Sequence, residues 1–138
     1  MRRLSREWSM GKPHIRVVAA EIERDGRYLI TQRPEKATMP LLWEFPGGRV
    51  EEGETDEAAL ARELREEMGL VVSVLEQTLH VRHQYDHYTV DFVVYRAETD
   101  DNPTLVKVRD ARWVSPDDFD QYEFPGADQA SVARLLGI

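Results

Sequence analysis

Residues 48–70 read GRVEEGETDEAALARELREEMGL, and this stretch decides most of what the chain can be. Its second part has every local mark of a helix. Thr55 can cap it, Asp56 and Glu57 suit the positive end of the dipole, and Gly69 is placed to stop it. Leu60, Leu64 and Met68 recur at every fourth residue, which makes a stripe for a core. Glu63, Glu66 and Glu67 stand at i, i+3 and i+4, within roughly a 100° arc. Between positions 51 and 67, seven glutamates and one aspartate oppose two arginines, Arg62 and Arg65. Like charges at these spacings repel by a few tenths of a kcal/mol per pair, roughly. Such a face is either solvated or neutralised by a cation. Clustered carboxylates without histidine or cysteine are hard oxygen ligands, suited to Mg²⁺ or Mn²⁺ and not to zinc. Gly47-Gly48 leads into the helix, and glycine lets a backbone carbonyl approach a ligand closely.

Outward from this stretch the chain alternates strands and turns. Residues 14–23 (HIRVVAAEIE) are β-branched and mostly apolar and predict a buried strand. Asp25-Gly26 is a hairpin signal, and 27–32 form the partner strand. Residues 33–42 read as a loop, and 43–48 (WEFPGG) as a short strand running into a glycine-rich turn. After the helix at 55–68 come strand candidates at 71–78 and 88–97, a break at Asp101-Asn102-Pro103, and a short strand at 111–114. Ser115-Pro116 opens a one-turn helix, and 127–136 form a terminal helix. Strands flanking two helices give an α/β or α+β class with a mixed sheet.

The bulk composition narrows the function classes. The 138 residues fit one domain, with 41% hydrophobic and 32% charged residues, so the chain is globular rather than disordered. No apolar run reaches the roughly 20 residues needed to span a bilayer. Residues 1–13, basic and without an apolar h-region, read as a flexible leader ahead of a domain at 14–138. There is no cysteine, which excludes disulfides, thiolate metal sites and a cysteine nucleophile; with no export signal, a cytoplasmic location is expected. The net charge of −8 disfavours stable nucleic-acid binding. It would also repel an anionic substrate unless a bound metal inverts the local field.

The spacing of the fixed residues is more specific than the composition. Gly48, Glu54, Arg62, Glu63, Leu64, Glu66, Glu67, Gly69 and Leu70 fill every specified position of the signature glycine, five residues, glutamate, seven residues, then Arg-Glu-aliphatic-x-Glu-Glu-x-Gly-aliphatic. The chain thereby resembles the Nudix hydrolases. WEFPGG before the box, GRYLITQRP upstream and FPGADQASVARLL near the end resemble the MutT-like nucleoside-triphosphate pyrophosphohydrolases. The resemblance covers roughly residues 14–136. It implies an α/β/α sandwich with a mixed sheet. It also implies divalent-metal ligation by Glu63, Glu66 and Glu67, with the Gly47 carbonyl as an additional ligand. Arg62 would orient a glutamate by ion pairing, and Glu54 would be structural or outer to the metal. Glu63 is the first choice for general base and Glu66 the second.

The implied reaction is Mg²⁺-dependent hydrolysis of a nucleoside triphosphate, 8-oxo-dGTP or (d)CTP-like, to monophosphate and pyrophosphate by a monomer or homodimer. Alternatives are hydrolysis of another nucleoside diphosphate derivative (a dinucleoside polyphosphate, ADP-ribose, an RNA 5′ end) and a non-catalytic nucleotide-binding module. Three residues are candidates for the substrate side. The arginine matching Arg33 approaches the nucleotide phosphate in MutT-like enzymes, although Arg33 reads equally as a surface residue. Phe45 is either beside the base or in the core. Asp128 stands where MutT carries an asparagine that reads the base; its alternative is an N-cap of the last helix. The extra glutamate ligand of MutT falls in register with Lys107, near Asp110. His80, His83 and His87 are expected between two strands, with His87 a candidate to border the nucleobase. Trp43 and Trp113 are expected in the core.

Overall fold

Strand β1 (His14–Arg24) organises the molecule because both of its faces are covered. Val18, Ala20 and Ile22 enter one core and Ala19 the other, as strand alternation dictates. The computed structural model describes residues 13–138; the expected leader lies outside the described residues apart from Pro13. Over residues 14–22, β1 runs parallel to β6 (Thr89–Glu98). Its end turns back through Asp25 and Gly26, with φ of 53° and 80°. Positive φ at both positions is what a tight primed hairpin requires, and β2 (Arg27–Gln32) pairs with Glu23 and Arg24. Two short strands follow, β3 (Trp43–Glu44) on β2 and β4 (Gly47–Arg49) on β1. Farther along, β5 (Ser73–Gln84) closes the free edge of β6, and β7 (Asp110–Val114) lies along β2. The seven strands form a mixed sheet in the order β3-β2-β1-β6-β5, with β4 added on β1 and β7 on β2.

A helix covers each face. Helix α1 (Asp56–Met68) buries Ala59, Leu60, Leu64 and Met68 against Val18, Ala20, Ile22 and Val93. Helix α2 (Gln129–Leu136) lays Val132 and Leu135 on the other core, which holds Ala19, Phe92, Val94 and Phe119. The expected α/β/α sandwich is thus present. Helix α1 starts and stops where its caps predict. Thr55 Oγ1 accepts from the Ala58 N–H at 3.1 Å, and Gly69 takes the left-handed conformation at φ 66°. Its N-terminus is also pinned to the sheet. Asp56 accepts from Arg16 at 2.7 and 2.8 Å and from the Tyr95 hydroxyl at 2.9 Å. Burial and this carboxylate push the Tyr95 hydroxyl up to about 12.

Three expectations are corrected. Gly47-Gly48 is not a turn but strand β4, held against Val18 and Ala19. Strand β5 runs to Gln84 rather than ending at 78, so His80 and His83 lie on it and not between strands. Register shifts around Gln77 break its alternation early, and the polar half of an edge strand hides the remainder. The terminal helix begins at Gln129, preceded by a 3₁₀ turn at Gly126–Asp128.

Candidate active site

The carboxylates of α1 depend on β4 passing directly beneath them. A Cβ on Gly48 would fall 2.3 Å from the carboxyl carbon of Glu63. A Cβ on Gly47 would fall 1.9 Å from the Val18 carbonyl of β1. The glycine pair is therefore needed twice, once to seat β4 on the sheet and once to leave room for Glu63. At Gly47 the obstacle is backbone, so only glycine lets β4 seat on the sheet; at Gly48 it is the end of the Glu63 side chain, which a Cβ would displace from its position.

Arg62 gathers the loop and the helix. Its Nε and Nη2 donate to Glu54 at 2.7 and 2.9 Å, and Nη2 also reaches the Arg49 carbonyl at 3.0 Å. Its Nη1 donates to Glu63 at 3.3 Å and to Glu66 at 3.2 Å. Glu54 in turn accepts the Glu51 N–H at 2.9 Å. The fork-shaped pair holds the Glu54 carboxyl down at about 2 and raises Arg62. Arg62 thus ties the 51–54 loop to α1 and orients two of its glutamates.

A cavity of about 470 Å³ opens beside this cluster. Of the expected site residues, it brings together Arg33, Phe45, Gly47, Glu63, Glu67 and Asp128. Arg62 and Glu66 are not in its lining; Glu66 is 47% exposed, at the rim with Arg62. Charges form a row through the cavity. Glu67 feels Glu63 and Glu44, Asp128 feels Glu44, and Tyr85 feels Asp128. Burial, then Glu63 and Glu44, pushes Glu67 up to about 8, with Arg33 opposing. Burial likewise raises Glu63 against the pull of Arg62, and Glu44 against the pull of Arg33. Burial, then Glu44, raises Asp128 far more, against the Phe45 N–H and Arg33.

Glu44 escaped the sequence reading. It lies on β3, a strand of two residues that shows no periodicity, and only the pairing of Thr31 with Glu44 turns it inward. Its partner Arg33 donates Nη1 to Glu44 at 2.9 Å. The other nitrogens of Arg33 fix the 33–42 loop through the Thr38 carbonyl at 2.6 Å and hydroxyl at 2.9 Å. Arg33 is a cavity residue, not a free surface arginine.

The far end of the cavity is aromatic. Phe45 is 2% exposed and stacks on Phe124 at 5.6 Å, so it is a core ring that also floors the cavity. Tyr85 and Tyr88 line this end, stacked at 5.0 Å. His87, expected to border the nucleobase, is not in the lining. Asp128 occupies the N-cap position of α2 but makes no capping bond. Its Oδ1 accepts the Phe45 N–H at 3.0 Å instead, so the capping alternative fails. Lys107 and Asp110 supply no carboxylate here. The Lys107 N–H caps the Glu67 carbonyl at 3.0 Å, and Asp110 pairs with Arg112 at 3.1 Å. Trp43 is buried; Trp113 is partly buried under the Arg24 guanidinium.

Converging carboxylates with raised proton affinity and an oxygen-only donor set fit a hard divalent cation. Among the described residues, no three acidic or histidine side chains already stand together as a ligand set, and Arg62 bonds both Glu63 and Glu66. Also among the described residues, no helix is long and apolar enough to cross a membrane.

The NUDIX domain model matches residues 17–134. The CTP pyrophosphohydrolase of Escherichia coli K12 is 39% identical, over 90% of this chain and 93% of its own length. An 8-oxo-dGTP diphosphatase of Haemophilus influenzae is 37% identical, over 92% of this chain and 95% of its own. The solution structure of the E. coli ORF135 protein superposes with a TM-score of 0.80 at 32% identity, covering 93% of this chain and 92% of that one.

Proposed function

This chain belongs to the Nudix family, and from that membership we propose that it hydrolyses nucleoside triphosphates to the monophosphate and pyrophosphate. The observation that carries the reading is the row of groups along one cavity. Glu63 and Glu67 come first, Glu44 lies between, and Asp128 with Tyr85 and Tyr88 follow, each group feeling the charge of the next. One end suits a charged phosphate chain brought in with a cation, and the other suits a planar base.

Glu63, Glu66, Glu67 and the Gly47 carbonyl are the residues assigned to hold Mg²⁺, or Mn²⁺. Held by them, such a cation would neutralise phosphate charge and make water easier to deprotonate. Glu63 takes the proton of the attacking water on its carboxylate, with Glu66 the second candidate. Arg62 keeps Glu63 and Glu66 aimed from the rim. Arg33, anchored by Glu44 and Thr38, faces the phosphates.

At the base end, Asp128 reads the nucleobase. Burial favours its neutral form, and a protonated carboxyl both donates and accepts. A base edge carrying a donor beside an acceptor answers that pattern. Both cytosine and 8-oxoguanine have such an edge, in keeping with the two relatives' substrates.

A panel of nucleotides with Mg²⁺, scored for pyrophosphate against orthophosphate, tests the reading. We expect pyrophosphate from triphosphates, fastest with CTP-type or 8-oxo-dGTP. Release of orthophosphate alone, or no turnover of any diphosphate-containing compound, would contradict it.

A further inference from the structure

His83 is held in the part of the molecule that carries Asp128, and the sequence reading gave it no role. Strand alternation sends it to the same face as Leu79 and Val81, toward the core under α2. Its imidazole lies where Gly126 has no side chain. A Cβ on Gly126 would fall 2.4 Å from Nε2 and 2.5 Å from Cε1 of His83. On its other side the ring meets Tyr85 at 4.5 Å, tilted by 59°. Two residues past His83 on the same face, Tyr85 accepts the Ala127 N–H on its hydroxyl at 2.9 Å. The 3₁₀ turn Gly126–Asp128 is thus gripped twice from the end of β5, by a ring seated on its first residue and a hydroxyl bonded to its second. Its third residue is Asp128, held from the opposite side by the Phe45 N–H.

We infer that His83, seated on Gly126, is a positioning residue for base discrimination: it sets the height of the 126–128 turn above β5 and hence where Asp128 stands in the cavity. The inference rests on the reading of Asp128 as the base-contacting group. The wedge works through shape. The ring fills the notch left by glycine, and a turn of three residues has no slack to absorb a displacement at its first residue before the third. A methyl group at position 126 must push either the ring or the turn, because the atoms it would meet belong to a ring closed in by Tyr85.

The test is a cycle of Gly126→Ala, His83→Ala and the double variant, with Asp128→Asn measured beside them. Melting temperature and the ratio of kcat/KM for CTP and 8-oxo-dGTP are both recorded. Gly126→Ala should lower the melting temperature and change the nucleotide ratio about tenfold or more, chiefly through KM. His83→Ala alone should also change the nucleotide ratio, because the turn loses the ring that sets its height, and an unchanged ratio there would overturn the positioning role. Added to Gly126→Ala, it should recover most of the melting temperature, because the collision is removed. Additive melting effects would overturn the wedge. An unchanged nucleotide ratio in Gly126→Ala would overturn its role in discrimination, whatever Asp128→Asn does. If Gly126→Ala changes the ratio and Asp128→Asn does not, the positioning stands and the assignment of the base contact to Asp128 fails.

Discussion

Gly48 has no side chain because Glu63 occupies the space one would fill. Gly48→Ala therefore separates folding from catalysis. The nearest atoms are the far end of a flexible glutamate, which can swing aside. We expect a normal circular dichroism spectrum and a loss of turnover of about tenfold or more, since Glu63 leaves its position. Glu67 makes a second prediction. Its folded proton affinity lies at about 8 against an ordinary 4.5, so the fold favours the neutral form. The associated stability is fully present below pH 4.5 and is lost as pH rises to about 8, where the folded state has held more protons than the unfolded one. Chelated protein should lose about 1–3 kcal/mol across that window, and Mg²⁺ should restore more at pH 8 than at pH 5. Thermal melts with EDTA or Mg²⁺ at the two pH values check this; a Mg²⁺ effect equal at both would contradict it. The α1 carboxylates were legible because their spacing lies within one helix. Glu44 was not, because its inward aim comes from β2–β3 pairing, a contact the local sequence does not encode.

Among the elements, α1 could be read whole and α2 only in part. Everything that bounds α1 is local: Thr55, Asp56, the Leu60-Leu64-Met68 stripe and Gly69. Helix α2 lies over a buried charge that no local pattern announces. Glu21 of β1 is 1% exposed and accepts from Arg134 of α2 and from the Thr78 hydroxyl at 3.1 Å. Glu21 lies within an apolar stretch of β1, and its partner is 113 positions away. Arg134→Met should leave that carboxylate buried without its cation. We expect a cost of about 1–3 kcal/mol, below the full value for a buried pair because Arg134 is partly exposed. Glu21→Gln/Arg134→Met should recover part of it. Urea unfolding of the single and double variants checks both, and an unaltered midpoint for Arg134→Met would show that the pair holds nothing. Strand β5 was misjudged for a different reason, since its register shifts break the alternation on which strand reading depends.

For the molecule as a whole, the sheet sets α1 on one face and α2 on the other, and the cavity opens where β1, β4, α1 and the 126–128 turn approach one another. The fold class was legible from strands flanking two helices and from the family resemblance, and the α1 carboxylates from their fixed spacing. The aromatic side of the cavity was only partly legible, because Tyr85, Tyr88 and Asp128 come from a hairpin and a turn that meet only in the folded chain. The central claim is that the glutamates of α1, neutralised by a divalent cation, carry out triphosphate cleavage. The most direct test is the rate of pyrophosphate release from the preferred triphosphate, with Mg²⁺ or EDTA, by the native chain, Glu66→Gln and Glu67→Gln. The account predicts Mg²⁺-dependent release by the native chain and a loss of about a hundredfold or more in each variant, with an unchanged circular dichroism spectrum. Near-native release by either folded variant, or release that persists in EDTA, would contradict it.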